Sequence, residues 1–191
     1  MDDVSATRTR LRAARTRLAA DPQRPRWDRQ IAMRLVDHAR QLHAHTLTAY
    51  YPLAHEPGGR ALLSTATAAG LTVWLPHSLP GGRLSWSRYA GEDHLREGAF
   101  HIPVPTTPSV KNLEETGAEL IVAPALAVTP TGVRFGQGGG YYDRLLASYH
   151  TLPSAVIVWS REIHEQLPVC AHDARCDTIL TDGGEDVPAG G

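Results

Sequence analysis

The chain has 191 residues, 42% of them apolar and 20% charged, with a net charge of −1. That is one domain of ordinary soluble composition, with a core large enough to need neither disulfides nor a structural metal. Collagen, long disorder, coiled coil and a disulfide scaffold are excluded. No apolar run approaches the roughly 18 residues of a membrane span. The opening Met1, Asp2, Asp3 and Val4 are acidic and lack the apolar stretch of a signal peptide, so a cytoplasmic protein without a membrane partner is expected.

The charge is unevenly spread. Residues 1–40 hold ten Arg and five Asp, a local charge of +5, and the rest of the chain carries −6. The basic end suits an anion such as polyphosphate or nucleic acid, or simply a solvated helix face. Eighteen of the nineteen basic residues are Arg, and Lys111, the single Lys, lies in a polar loop. Lysine-based covalent chemistry is therefore not expected. Cys170 and Cys176 are spaced C-x5-C, which fits neither a zinc knuckle nor a redox pair, so both read as ordinary thiols.

In chain order, a helix is predicted over residues 5–20, capped by Ser5, with Leu11, Ala14 and Leu18 at helical spacing. Asp21 and Pro22 break it. A second helix runs over 25–43, with Trp27, Ile31, Leu35 and Leu42 near one face. Residues 47–51 form a short buried strand ended by Pro52. A helix over 59–69 stops at Gly70. Residues 71–75 form a strand ended by Pro76, and 84–89 alternate like a strand near an edge. A proline-rich loop spans 98–118. The most clearly central strand is 119–123, ended by Pro124. A glycine-rich loop follows at 131–140, then a helix at 141–149 and strands at 154–158 and 178–181. The order predicts an α/β layered fold with a mainly parallel sheet flanked by helices. One domain over 1–182 and a frayed tail over 183–191 are expected.

The most informative segment is RFGQGGGYYDR, residues 134–144. Gly136, Gly138, Gly139 and Gly140 sit just before a helix. Glycine permits positive φ and close backbone approach, and a helix N-terminus offers free N–H groups, so the loop suits phosphate. Its alternative is a tight strand-to-helix turn. Arg134 supplies positive charge. Asp143 is badly placed to hold phosphate but well placed to hold a Mg²⁺ that does. Tyr141 and Tyr142 are placed to stack on a flat ligand or to pack. There is no G-K-[ST] of a Walker loop, and the spacing is not that of a Rossmann fingerprint.

This segment, with residues 121–127 before it, resembles the signature of the 5-formyltetrahydrofolate cyclo-ligases (5,10-methenyltetrahydrofolate synthetases). Only Phe135 departs from it, where Leu is usual. The resemblance extends along the chain in order. It takes in Arg8 and Arg12, Tyr50-Tyr51-Pro52 with Glu56, residues 73–76 and 100–105, and Pro168, His172, Asp173 and Asp177. Departures fall at Arg8, Pro57, Gly58, Val104, Thr129 and Glu162. Most of them lie on the side where the family's folate is expected.

The resemblance implies a fold like that of sugar-phosphate isomerases and CoA transferases. It also implies ATP-dependent closure of 5-formyltetrahydrofolate to 5,10-methenyltetrahydrofolate. By it, Gly136, Gly138, Gly139 and Gly140, with Phe135, Gln137 and Tyr141, hold ATP. Arg8 and Arg12 reach the triphosphate, and Arg134 neutralises charge on the transferred group. Asp143 holds Mg²⁺. Tyr51, Glu56, Phe100 and Tyr142 contact the folate, with Tyr142 also counted as catalytic. Left to the residues alone, Glu56 reads as a helix-start acid and Phe100 as core. The competing reading is a diverged binder of nucleotides or phosphorylated metabolites that kept the phosphate loop. A nucleic-acid partner, zinc and a serine-hydrolase elbow find no support in the pattern. A monomer is expected.

Overall fold

A computed structural model describes residues 3–169 and 173–183, together with the backbone of 187–188. Cys170, His172 and most of the tail expected to fray lie outside the described residues.

Two helices open the chain, α1 (Val4–Ala19) and α2 (Arg24–Gln41). The N-cap of α1 is Asp3, whose carboxylate accepts the Ser5 N–H at 2.9 Å, so the cap lies two residues before the expected Ser5. Then follow β1 (Thr46–Thr48), α3 (Gly59–Ala68), β2 (Thr72–Leu79) and β3 (Arg83–Arg88). β4 (Leu95–Glu97) comes next, and β5 (Pro103–Pro105) and β6 (Ser109–Val110) fall within the stretch expected to be loop. β7 (Leu120–Pro124), β8 (Ala127–Val128), β9 (Arg134–Phe135) and α4 (Tyr141–Ser148) come next. β10 (Ser154–Ile157), β11 (Thr178–Leu180) and β12 (Val187–Pro188) complete the chain. The last of these ties the tail to β11 at one antiparallel pairing.

Eight strands form one sheet in the order β12-β11-β10-β7-β1-β2-β3-β6. The five central strands, β11 to β2, are parallel. Strand β7 shows why the sheet is covered on both faces. Its Leu120 and Val122 join Ile31 and Leu35 of α2 and Leu62 of α3, while Ile121 and Ala123 join Leu145 and Leu146 of α4. Period-two alternation sends successive side chains to opposite layers. Each fully buried Leu or Ile contributes about 1.5–3 kcal/mol of transfer free energy. The architecture is therefore α/β, with a mainly parallel sheet flanked by helices. No helix among the described residues is long and apolar enough to cross a membrane.

Two differences from expectation have local causes. Strand β2 runs on through Pro76 to Leu79, because Trp74 bonds Ala49 on the β1 side and Pro76, two residues on, faces the same way past the end of β1. A missing N–H costs nothing at that unpaired position. The glycine-rich stretch also begins as a strand rather than a loop. Arg134 and Phe135 pair with Val128 and Ala127 in a small hairpin. Phe135 is buried there with Leu11 of α1, Leu126 and Ala127.

Candidate active site

The β8–β9 hairpin fixes one end of a cleft of about 430 Å³. Phe135 packs toward α1, so its neighbour Arg134 turns the other way, as alternation requires. The Arg134 guanidinium is buried, with 4% of the residue exposed, and pairs with Asp143 at 2.5 Å. It also reaches the Pro124 carbonyl at 3.4 Å and lies 5.8 Å from the centre of the Tyr142 ring. Its Nε hydrogen finds no partner among the described residues.

Between Arg134 and α4 the chain takes two left-handed steps, at Gly138 (φ 101°) and Gly140 (φ 67°), which a side chain would strain. Gly140 is the N-cap of α4 and brings no capping side chain, so the first amides of the helix stay available. Free amides, a helix N-terminus and a buried guanidinium together form a cradle for an anion.

The loop is held from behind. Arg8 donates to the Gly136 carbonyl at 3.2 Å and stacks on Phe135, 5.2 Å from the ring centre. Arg12 donates to the Gln137 side chain at 2.9 Å. Arg15, one turn further along the same helix, makes a two-pronged pair with Glu162 at 2.6 and 2.7 Å. Both of those side chains are almost fully buried. Arg144 ties the Gly139 carbonyl to that of Gly82. The Tyr141 hydroxyl is bonded to the Leu79 carbonyl. The Tyr142 hydroxyl lies buried in the cleft without a partner among the described residues, and burial raises it well above the usual phenol range. A buried polar atom without a partner is an opening for a ligand.

The far end of the cleft is a different surface. Leu75, Leu84, Ile102 and Val104 make it apolar, and Glu56 is its acid. The Glu56 carboxylate accepts the Leu53 N–H at 2.9 Å, and burial raises it above the usual carboxylate range. Tyr50 and Tyr51 stand beside it. The Tyr50 hydroxyl donates to the Pro57 carbonyl and the Tyr51 hydroxyl to Glu92. Phe100 forms the rim. It is 70% exposed and has φ 58°, a strained conformation for a side chain of that size, so it is not the core residue that the sequence alone suggests.

Of the expected site residues, Tyr51, Glu56, Phe100, Arg134, Gly136, Gln137, Gly138, Gly139, Gly140, Tyr141, Tyr142 and Asp143 line this one cleft. Arg8, Arg12 and Phe135 do not; they support the loop from α1. The departures on the folate side also separate. Val104 alone lines the cleft. Gly58 caps α3, Pro57 receives Tyr50, Thr129 closes the hairpin turn by accepting from Val133, and Glu162 pairs with Arg15. Arg15 was not singled out by residue pattern, because its partner Glu162 lies 147 positions away. Among the described residues no three His, Cys, Asp or Glu side chains cluster as a metal cage.

A mainly parallel α/β sheet carrying a cleft with an anion cradle at one end and a half-buried carboxylate at the other suits a ligand that is anionic on one side and rich in donors on the other. The sequence profile of the 5-formyltetrahydrofolate cyclo-ligase family matches residues 1–182. A 5-formyltetrahydrofolate cyclo-ligase of Mycolicibacterium smegmatis is 34% identical over 158 residues, covering 74% of this chain and 75% of the relative. That of Escherichia coli is 25% identical over 171 residues, covering 87% and 94%. Among solved structures, the 5,10-methenyltetrahydrofolate synthetase of Aquifex aeolicus superposes with a TM-score of 0.74 at 24% identity, covering 97% of this chain and 92% of that one. The Mycoplasma pneumoniae synthetase gives 0.72 at 19%, covering 96% and 100%, so the fold is shared. This chain belongs to the 5-formyltetrahydrofolate cyclo-ligase family.

Proposed function

We propose that this protein uses ATP to close 5-formyltetrahydrofolate to 5,10-methenyltetrahydrofolate, releasing ADP and phosphate. The observation that carries the reading is the division of one cleft between the Arg134 and glycine-loop cradle and the Glu56 carboxylate. Family membership supplies the substrate class, and the fold's likeness to sugar-phosphate isomerases and CoA transferases belongs to the same reading.

A formamide oxygen is a poor leaving group. It therefore attacks the γ-phosphorus, and ADP departs with the bridging oxygen's electron pair. N10 of the folate then attacks the formyl carbon, phosphate leaves with the C–O electrons, and N10 loses its proton. The protein contributes positioning and charge stabilisation. The loop amides from Gly136 to Gly140 and the Arg134 guanidinium receive the phosphates. Arg8 and Arg12 serve them by holding the loop. Tyr142 offers its unpartnered hydroxyl beside the transferred group. Glu56 accepts hydrogen bonds from the N–H edge of the pterin, and Tyr51 and Phe100 flank that ring.

Asp143 fits a Mg²⁺ ligand. Its bonds from Arg134 and Ala174 both fall on Oδ1, and the residue lines the cleft beside the glycine loop. Mg²⁺ takes one or two carboxylates with phosphate oxygens and water, and would neutralise charge on the phosphates. The same reading takes the protein as a monomer acting on two small molecules, without nucleic acid or membrane, in the cytoplasm.

The test mixes purified protein with Mg-ATP and 5-formyltetrahydrofolate and follows the methenyl product by absorbance, with an ATP-free control. ATP-dependent product is expected. The second reading, a diverged binder, rests on the apolar Val104 in the folate half. Stabilisation by Mg-ATP with no folate turnover would favour it.

A further inference from the structure

The loop that carries Glu56 spans residues 53–58 and has no regular structure of its own. It is fastened to α2 by two side chains one turn apart. Arg24 donates to the Ala54 carbonyl at 2.7 Å and to the Glu56 carbonyl at 3.4 Å. The same guanidinium reaches the Ala19 carbonyl at 3.3 Å and pairs through Nε with Asp28 at 3.1 Å. Asp28 in turn accepts the Gly58 N–H at 2.9 Å on its other oxygen. One ion pair therefore holds the backbone on both sides of Glu56. The pair is itself fixed. Arg24 lies over the Trp159 ring, 5.8 Å from its centre, and Trp159 packs edge-on against Trp27 of α2. At Gly59 the fit is so close that a Cβ would stand 2.7 Å from the Asp28 carboxylate.

Neither Arg24 nor Asp28 lines the cleft. We infer that the Arg24–Asp28 pair is the positioning device for Glu56 and so sets the affinity of the folate half of the cleft, leaving the phosphate half alone. The inference rests on the reading of Glu56 as the folate's acceptor. A carboxylate that must meet a donor within a few tenths of an ångström loses most of its value when its backbone drifts. Arg24 offers a planar fork that spans two carbonyls and a carboxylate at once, which an ammonium group cannot do.

The experiment varies each substrate in turn with wild type, Arg24→Ala, Arg24→Lys, Glu56→Gln and the double variant of Arg24→Ala with Glu56→Gln. Arg24→Ala should raise KM for 5-formyltetrahydrofolate about tenfold, with kcat and KM for ATP within about twofold. Arg24→Lys should fall between it and wild type. It carries the same test if the alanine variant does not fold. In the Glu56→Gln background the Arg24 change should matter less than about twofold, because the group it positions is already gone. A merely structural role would lower the unfolding temperature, move both KM values together and act additively with Glu56→Gln. Any of those last two outcomes overturns the inference while leaving the proposed reaction standing. Wild-type protein that makes no methenyl product overturns the reaction itself, and the inference with it.

Discussion

The two ends of the cleft are built on opposite plans. The end proposed for phosphate is nearly contiguous: Arg134, the glycines and Asp143 lie within ten residues, and much of its surface is backbone. The end proposed for folate is gathered from separate segments around Glu56, Leu75, Phe100 and Val104, and its surface is side chain. An anion cradle needs amides in a particular conformation, so it constrains the chain to glycine at fixed spacing. A flat heterocycle needs walls and one or two acceptors, which many side chains can supply from many places. This accounts for a chain that keeps the family's loop almost unchanged and, within the cleft, departs on the other side at Val104. Both ends nevertheless depend on the same helical pair, α1 behind the loop and α2 behind Glu56.

The strongest challenge to that picture is to unfasten α1. Glu162→Ala strands the buried Arg15 guanidinium and should cost about 3–5 kcal/mol of stability, read as a lower urea midpoint. Glu162→Gln keeps an acceptor and should cost less. An unchanged midpoint in the alanine variant would separate α1 from the phosphate end. Next comes Arg134→Ala, which removes the buried charge of the cradle. Turnover should fall about 10²–10³-fold with the folate KM little changed. A fall in folate affinity of the same size would mean that the two ends are not independent.

Glu56→Gln sharpens the comparison from the other side. Losing a charged acceptor should raise the folate KM about 10–100-fold and leave that for ATP alone. Burial holds the Glu56 carboxyl above its ordinary value, so protonation on acidification reaches it earlier than it would a surface acid. The wild-type folate KM should therefore rise as pH falls into the acid range, and the Gln variant should stay flat. The smallest effect is at Phe100. Its positive φ costs about 1–3 kcal/mol, of which glycine's extra chain freedom returns up to about 1. Phe100→Gly should raise the unfolding temperature by about 2–4 °C while weakening folate binding several-fold. A lower unfolding temperature would show that the ring is structural rather than part of the rim.

The same contrast governs what could be read from the sequence. The central strand at 119–123 and the helix at 141–149 carry their signals locally, in alternation and composition, and each is found within a residue or two of its place, while the glycine loop keeps its end and yields Arg134 and Phe135 to β9. The hairpin of β8 and β9 was hidden because two-residue strands are too short to show a period. Strand β2 was cut short at Pro76 because the unpaired edge that tolerates proline is a property of β1's length. The basic first 40 residues could be read as solvated or as reaching for phosphate. In the structure Arg8, Arg12, Arg15 and Arg24 mainly bond to other parts of the chain. No local pattern announces a partner more than a hundred positions away.

Those distances bear on how the molecule comes to exist. Arg8, Arg12 and Arg15 meet their partners across 128, 125 and 147 positions. At a synthesis rate of about 5–20 residues per second, α1 waits roughly 6–30 s after it emerges before the residues that occupy its arginines have been made. During that interval it is a cationic helix with nothing to hold. Closing such long loops is also the slow kind of contact formation. Under the proposed function, competence to take up phosphate arrives only at the end of assembly, once the sheet is in place.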